Sequence, residues 1–436
     1  MLLPPKQRPT AAGTGMGPDY HQTLPCTPYP APAAGPPLPM TPSPTWTRRA
    51  FLQRTALLTA GPLLAGCVSG RASRPAADWL LYIGTYGPAE QDNLFLYRLH
   101  PGTGELTRVA GFRGGLKPGF LTLSADHRFL YAINASLEFQ GQSSGSVRAF
   151  AVDQRTGALS GLNEQPSGGA GPCYVSLTPG GRAALVANYF GGTVSALPVR
   201  ADGQLDPPAV IDQHQGAGPH KNQDRAHAHC ILPDPAGRYA LAVDLGNDQV
   251  LSYPLTNGAA ALQLPPKTAF RTQPGAGPRH LAFHPNGRWA YLINELNSTI
   301  TALSYDATTG TCAELHTVPA LPPGFTGPNA CADVHVSPDG RFVYGSNRGH
   351  DSLVVLAVDA GTGRLTLVEH VSTQGKTPRN FTLAPDGRLL LVANQNSNNI
   401  FSYHVDAASG RLRPTGYSAE VPAPVCLRLL PDFAAR

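Results

Sequence analysis

Charge is scarce in this sequence. Only 14% of its 436 residues are Asp, Glu, Lys or Arg. Residues 67–436 carry a net charge of +1, and the remaining +4 sits in residues 1–66. A body so close to neutral lacks the positive field that binding a phosphate backbone needs, which argues against nucleic acid as a partner. Cysteines are few and scattered, at 26, 67, 173, 230, 312, 331 and 426, with no C-x-x-C pair. Zinc-ribbon and thioredoxin-like readings therefore fail, and the five cysteines beyond Cys67 are an odd number for a complete disulfide framework. A Walker-type phosphate loop is also missing.

What the chain has in abundance is glycine (47) and proline (44). With so few charges, this points to many short strands joined by many turns. Residues 1–46 hold 13 of the prolines and show little apolar periodicity, so they read as a disordered leader. Thr47-Arg48-Arg49-Ala50-Phe51-Leu52-Gln53 resembles a twin-arginine export signal. The apolar run that follows, residues 55–64, is about as long as a signal-peptide core and shorter than the ~20 residues of a membrane span. Leu64-Ala65-Gly66-Cys67 resembles a lipobox, whose cysteine is lipidated. Residues 47–67 are read as signal, 68–78 as linker and 79–436 as the folded body. The expectation is an exported protein, periplasmic or held at a membrane through Cys67, and cytoplasmic if the signal does not function. Met40 would place the arginine pair conventionally and is the expected true start.

The body repeats. Each unit reads as an apolar strand, Pro-x-Gly-Arg, and a second apolar strand ending in Asn. The clearest copies are Leu281-Ala-Phe-His-Pro-Asn-Gly-Arg288-Trp-Ala-Tyr-Leu-Ile-Asn294, Val334-His-Val-Ser-Pro-Asp-Gly-Arg341-Phe-Val-Tyr-Gly-Ser-Asn347 and Phe381-Thr-Leu-Ala-Pro-Asp-Gly-Arg388-Leu-Leu-Leu-Val-Ala-Asn394. Arg128, Arg182 and Arg238 mark looser copies. Proline ends the first strand because it has no N–H for the ladder, and Asp/Asn-Gly makes the tight turn. A second turn signal recurs half a repeat later, as in Gln154-Arg-Thr-Gly157 and Ala360-Gly-Thr-Gly-Arg364. Two hairpins per repeat make one four-stranded blade.

Six turns are visible, and the ends supply a seventh blade. Pro422-Ala-Pro-Val-Cys-Leu-Arg-Leu-Leu-Pro431 reads as a first strand with no second. Trp79-Leu-Leu-Tyr-Ile-Gly-Thr-Tyr86 reads as a second strand with no first. Pairing them would close an all-β, seven-bladed propeller and hide two sheet edges.

Segments spread across the body carry a family resemblance: Leu81-Tyr-Ile-Gly-Thr-Tyr86, Ala187-Asn-Tyr189, His227-Ala-His229, Val243-Asp-Leu-Gly246, Gly277-Pro-Arg-His280, Ile293-Asn-Glu295, Ser346-Asn-Arg-Gly-His-Asp351 and Thr377-Pro-Arg-Asn380. In these the chain resembles the lactonase family of seven-bladed propellers, whose best-known activity is 6-phosphogluconolactonase. The family is also similar to a fungal muconate-lactonising enzyme. The resemblance implies a site of His229, Arg279, Glu295 and Arg348 at one end of the central channel. His227, Asn188, Asp244, Asn294 and Asn347 are expected as further substrate contacts. Ala226 and Ala135 depart from the family pattern, and the second is expected to alter one wall of the pocket.

The chemistry suits these residue types. Opening a lactone needs a base for water and stabilisation of the oxyanion. His229 or Glu295 can take the proton, and arginines can bind an anionic group on the substrate or the oxyanion itself. No cofactor or metal is expected, since lactones are already reactive. Arg288, Arg341 and Arg388 are expected as turn residues, and His284 and His335 as packed ones. The partner would be a small sugar lactone and the protein a monomer. A non-enzymatic ligand- or protein-binding propeller of the cell envelope is the alternative, because the fold serves both uses.

Overall fold

The structure, a computed structural model, describes residues 78–256 and 261–433. The twin-arginine segment, Cys67 and Met40 lie outside the described residues.

The repeated turn behaves as its chemistry requires. In each clear copy the Asp or Asn side chain accepts the N–H of the arginine two residues on: Asp339 from Arg341 at 3.1 Å, Asp386 from Arg388 at 3.0 Å, and Asn286 from Arg288 at 2.9 Å. The intervening glycines, Gly287, Gly340 and Gly387, have φ between 68° and 78°, a region that side chains avoid. In two of these copies the guanidinium then lies over the aromatic residue that opens the next strand, Arg288 on Trp289 and Arg341 on Phe342. These arginines belong to the turns.

The described strands form seven four-stranded antiparallel sheets. Six are consecutive in the chain. The seventh joins the last strand, Pro424–Pro431, to Trp79–Thr85, Leu94–Leu99 and Leu106–Phe112. Leu427 pairs with Ile83 and Leu430 with Leu80 in this closure. The first strand of each sheet lies innermost, and neighbouring innermost strands touch one another around the whole ring. Among the described residues there is no α-helix, only a 3₁₀ turn at Gln395–Ser397.

Apolar side chains alternate between the two faces of each blade and interleave with the next blade. At the junction of the last and first blades, Leu389, Leu391, Leu81, Ile83 and Leu427 form one fully buried cluster. Burial of this kind contributes about 25 cal/mol per Å² and dominates the stability. Tyrosines add specific stitches: the hydroxyls of Tyr82, Tyr131, Tyr291 and Tyr344 each donate to a turn carbonyl of the following blade, at Gly157, Gly203, Gly363 and Gly410.

Candidate active site

The innermost strands share a second feature. Near the start of each, pairing with the next strand skips one residue, or two in one case: between Pro118 and Phe120, Pro172 and Tyr174, Ala228 and Cys230, Pro278 and His280, Cys331 and Val334 (the two-residue case), Pro378 and Asn380, and opposite Gly84–Thr85 in the closing strand. Such a bulge re-aims one side chain. The residues skipped are Gly119, Cys173, His229, Arg279, Ala332 with Asp333, Arg379 and Val425. Five of them, Gly119, Cys173, Arg279, Arg379 and Val425, line a single recess at one end of the channel. Tyr86, Phe120, His280 and Asn380 complete its lining.

The loops feeding two of these bulges are held by equivalent aspartates. Asp248 accepts the N–H of Gly275 at 2.7 Å and of Gly277 at 2.9 Å, just before Arg279. Asp351 accepts the N–H of Thr377 at 2.8 Å, just before Arg379. Gly277 has φ +63°, and a Cβ there would lie 2.4 Å from Leu296, so glycine is required. Thr377 adopts φ 61° although β-branched, a strained conformation that its anchors maintain.

Glu295 gathers the charges. Its carboxylate oxygen Oε2 lies 2.7 Å from Arg348 Nη2 and 3.0 Å from Arg279 Nε. Arg348 also donates to the carbonyls of Ala330 and Cys331, which braces it against the innermost strand of its own blade. Arg279 is only 2% exposed and donates through Nη1 to the Ala332 carbonyl. Burial raises the Glu295 pKa, but Arg348, Arg279 and Arg379 more than offset it and leave the carboxyl below its ordinary range. It is an ionised clamp and a weak base. Burial, with Arg348 and Arg379 nearby, brings Arg279 down to about 10, still protonated near neutral pH.

Arg379 differs from the other two. Among the described residues it makes no ion pair, and its guanidinium lies over the Tyr86 ring, 5.2 Å from the centroid. Burial opposes its charge, yet Tyr86, Glu295 and Cys173 hold its pKa above the ordinary value. Three guanidiniums thus face one carboxylate, a surplus of positive charge that suits an anionic ligand.

His229 is 4% exposed, and its Nδ1 is buried without a partner among the described residues. Its ring meets Tyr189 and His280 edge-on, at 5.6 and 5.2 Å between centroids. Burial, then Arg279, His280 and Arg379, push its pKa well below the ordinary value, so it is neutral at physiological pH. Cys173 is no nucleophile. Burial drives its thiol up to about 12, with Arg279 and Arg379 countering only in part.

The family model described as lactonase, 7-bladed beta-propeller, matches residues 80–429. The chain belongs to the lactonase family. A 6-phosphogluconolactonase of Bacillus subtilis is 37% identical over 302 residues, 69% of this chain and 83% of that protein. One from Formosa agariphila is 32% identical over 70% of this chain and 86% of its own length. The solved periplasmic gluconolactonase of Pseudomonas aeruginosa superposes with a TM-score of 0.75 at 35% identity, covering 81% of this chain and 99% of that one.

In this lactonase, then, His229, Arg279, Glu295 and Arg348 come together. His227 lies beside them with both ring nitrogens engaged, Nδ1 3.0 Å from the Tyr189 carbonyl and Nε2 2.9 Å from Asp224. Four expected substrate contacts are corrected. Asn188 spends its amide N–H groups on the Ser167 carbonyl and Thr193. Asn294 donates to Thr299 and Thr301, and Asn347 to the Ala320 carbonyl and Ser352. Asp244 is fully buried, with one oxygen on the N–H groups of His227 and Gly246 and the other 2.7 Å from His214. All four are staples within or between blades.

Arg379, Tyr86, His280 and Asp333 were not among the expected site residues of this lactonase. Arg379 had a signal: it follows Pro378 as Arg279 follows Pro278. Gly141-Gln-Ser-Ser-Gly145 spells a Gly-x-Ser-x-Gly pattern, but it sits between two strands and no helix follows, so it forms no nucleophile elbow. Among the described residues no group of three or more His, Cys, Asp or Glu is placed to hold a metal.

Proposed function

We propose that this protein hydrolyses the ring ester of a sugar lactone carrying an anionic group. The observation behind this is the convergence of three guanidiniums on one carboxylate beside a neutral, unpartnered histidine. Relatives named 6-phosphogluconolactonase and gluconolactonase support the substrate class.

In this reading, His229 takes a proton from water as the water oxygen attacks the lactone carbonyl carbon. His229 rather than Glu295 takes this part because its Nδ1 has no partner among the described residues, whereas the Glu295 carboxylate is committed to two arginines. Arg279, oriented by Glu295, stabilises the oxyanion of the tetrahedral intermediate. The bond from the carbonyl carbon to the ring oxygen then breaks, and the departing oxygen recovers the proton from His229. The product is the open hydroxy acid. Arg379 binds the substrate's phosphate or carboxylate, with Tyr86 holding its plane. We further propose export through the leader, as a monomer. Outside the cytoplasm an unphosphorylated lactone, with a carboxylate as its anionic group, is the more accessible substrate.

The test is a pH-stat assay of residues 68–436 with 6-phosphogluconolactone, a carboxylated sugar lactone and neutral δ-gluconolactone. Turnover with Arg379→Met raising KM at least ten-fold for the charged substrates alone is expected. No turnover of any of the three would sink the proposal.

A further inference from the structure

Behind the recess lies a buried chain of polar groups that the proposed reaction does not use. Arg279 Nη1 is 3.2 Å from His280 Nε2. A guanidinium has only donors, so Nε2 must accept, and the proton of the neutral ring must sit on Nδ1. Nδ1 is 2.8 Å from Asp333 Oδ1. The same oxygen accepts the Val334 N–H at 3.0 Å. Oδ2 of Asp333 takes His335 Nε2 at 3.0 Å and the amide N–H of Asn380. Asn380 cannot turn over, because its own oxygen accepts the Leu427 N–H at 2.7 Å. Asp333 therefore fills both carboxylate oxygens with donors from three blades, and it is 4% exposed.

We propose that His280 and Asp333 are positioning residues of this site: Asp333 fixes His280 in the Nδ1–H tautomer, and His280 Nε2 then holds the Arg279 guanidinium in the place where the oxyanion forms. The proposal rests on the assignment of Arg279 above. The arrangement has a steric side as well. The His280 ring is wedged edge-on against Phe120 and Tyr174, at 5.9 and 5.3 Å, so it cannot swing away to release Arg279. Glu295 engages Arg279 from one side and His280 from the other, and together with the Ala332 carbonyl they leave the guanidinium one orientation.

A purely structural role for His280 would require only its volume and a bond to Asp333. The positioning role requires an acceptor facing Arg279. His280→Phe keeps the ring packing and loses the acceptor, whereas His280→Gln can present its amide oxygen to Arg279. Expected for Phe is a kcat loss of roughly ten- to a hundred-fold with little change in KM, since the oxyanion exists only in the transition state. Gln should retain activity within a few-fold of the wild type. Independently, ¹⁵N-histidine NMR of the wild-type protein should show His280 neutral with its proton on Nδ1, its signal assigned by its loss in the Gln variant. In Asp333→Asn an amide N–H₂ must face donors on one side, so the single tautomer and the full kcat should both be lost. Wild-type kcat in His280→Phe, or an Nε2–H tautomer in the wild type, would overturn the proposal. An Asp333→Asn protein with unchanged signal and kcat would remove Asp333 from it. Should the wild type open no lactone, the functional reading fails, while the tautomer measurement still decides whether the dyad is built as described.

Discussion

The two ends of the innermost strands are built to opposite rules. At the turn end the three clear copies are alike, with proline, an Asx side chain capping an arginine N–H and a glycine at positive φ, and two of them lay the guanidinium on an aromatic ring. At the mouth the backbone is still alike, with a bulge in all seven strands, but the side chains presented vary: glycine, cysteine, histidine, arginine, alanine with aspartate, a second arginine and valine. Even arginine changes its job with its end, bracing turns at one and clustering round Glu295 at the other. The repeat specifies the ring, and the departures from the repeat specify the chemistry.

This contrast can be broken most forcefully at the mouth. Arg279→Ala should lower kcat/KM by roughly 10²–10³, with circular dichroism still reporting a folded β protein. Acid should act on the same region. His280 titrates at about 4, against an ordinary 6.5, because burial and Arg279 outweigh the pull of Asp333; Arg379 adds to the depression. The unfolded chain thus binds this proton first, and stability is lost as pH falls from 6.5 towards 4. Urea midpoints measured across that window should decline, and less steeply in His280→Gln.

Staples should behave in the reverse manner. Asn188→Ala should cost about 1–3 kcal/mol in urea unfolding, by removing its hydrogen bonds to the Ser167 carbonyl and to Thr193, and leave KM unchanged. A KM effect without loss of stability would restore Asn188 as a substrate contact. Tyr344→Phe, which deletes one stitch to Gly410, should cost about 1 kcal/mol and no activity. Smallest of all, Arg341→Ala at the solvent-facing turn should stay within about 0.5 kcal/mol by the same measurement.

Sequence made the ring legible because its turns are local. Pro-Asp-Gly-Arg encodes its own geometry within four residues, and the spacing of its copies counts the blades. The termini could be joined because each lacked a partner strand. The site was legible only in part, through residues that match a family pattern. The asparagines ending the second strands were misplaced because a strand end near the mouth says nothing about whether a side chain turns to the channel or to its own blade. That choice depends on partners such as Thr193 and Ser352 in the next strand. Arg379 was overlooked because a bulge arises from register between two strands, and no single segment declares it. The role of Asp333, which joins groups from three blades, exists only after the ring has closed.

That closure has a consequence for assembly. Pro424–Pro431 supplies Val425 to the recess wall, receives the Leu121 N–H on Cys426, and gives its Leu427 N–H to Asn380. Without this strand the described blades would be a horseshoe with two open edges and an unfinished wall. One and the same pairing therefore completes the ring and the recess, and neither can be had without the other.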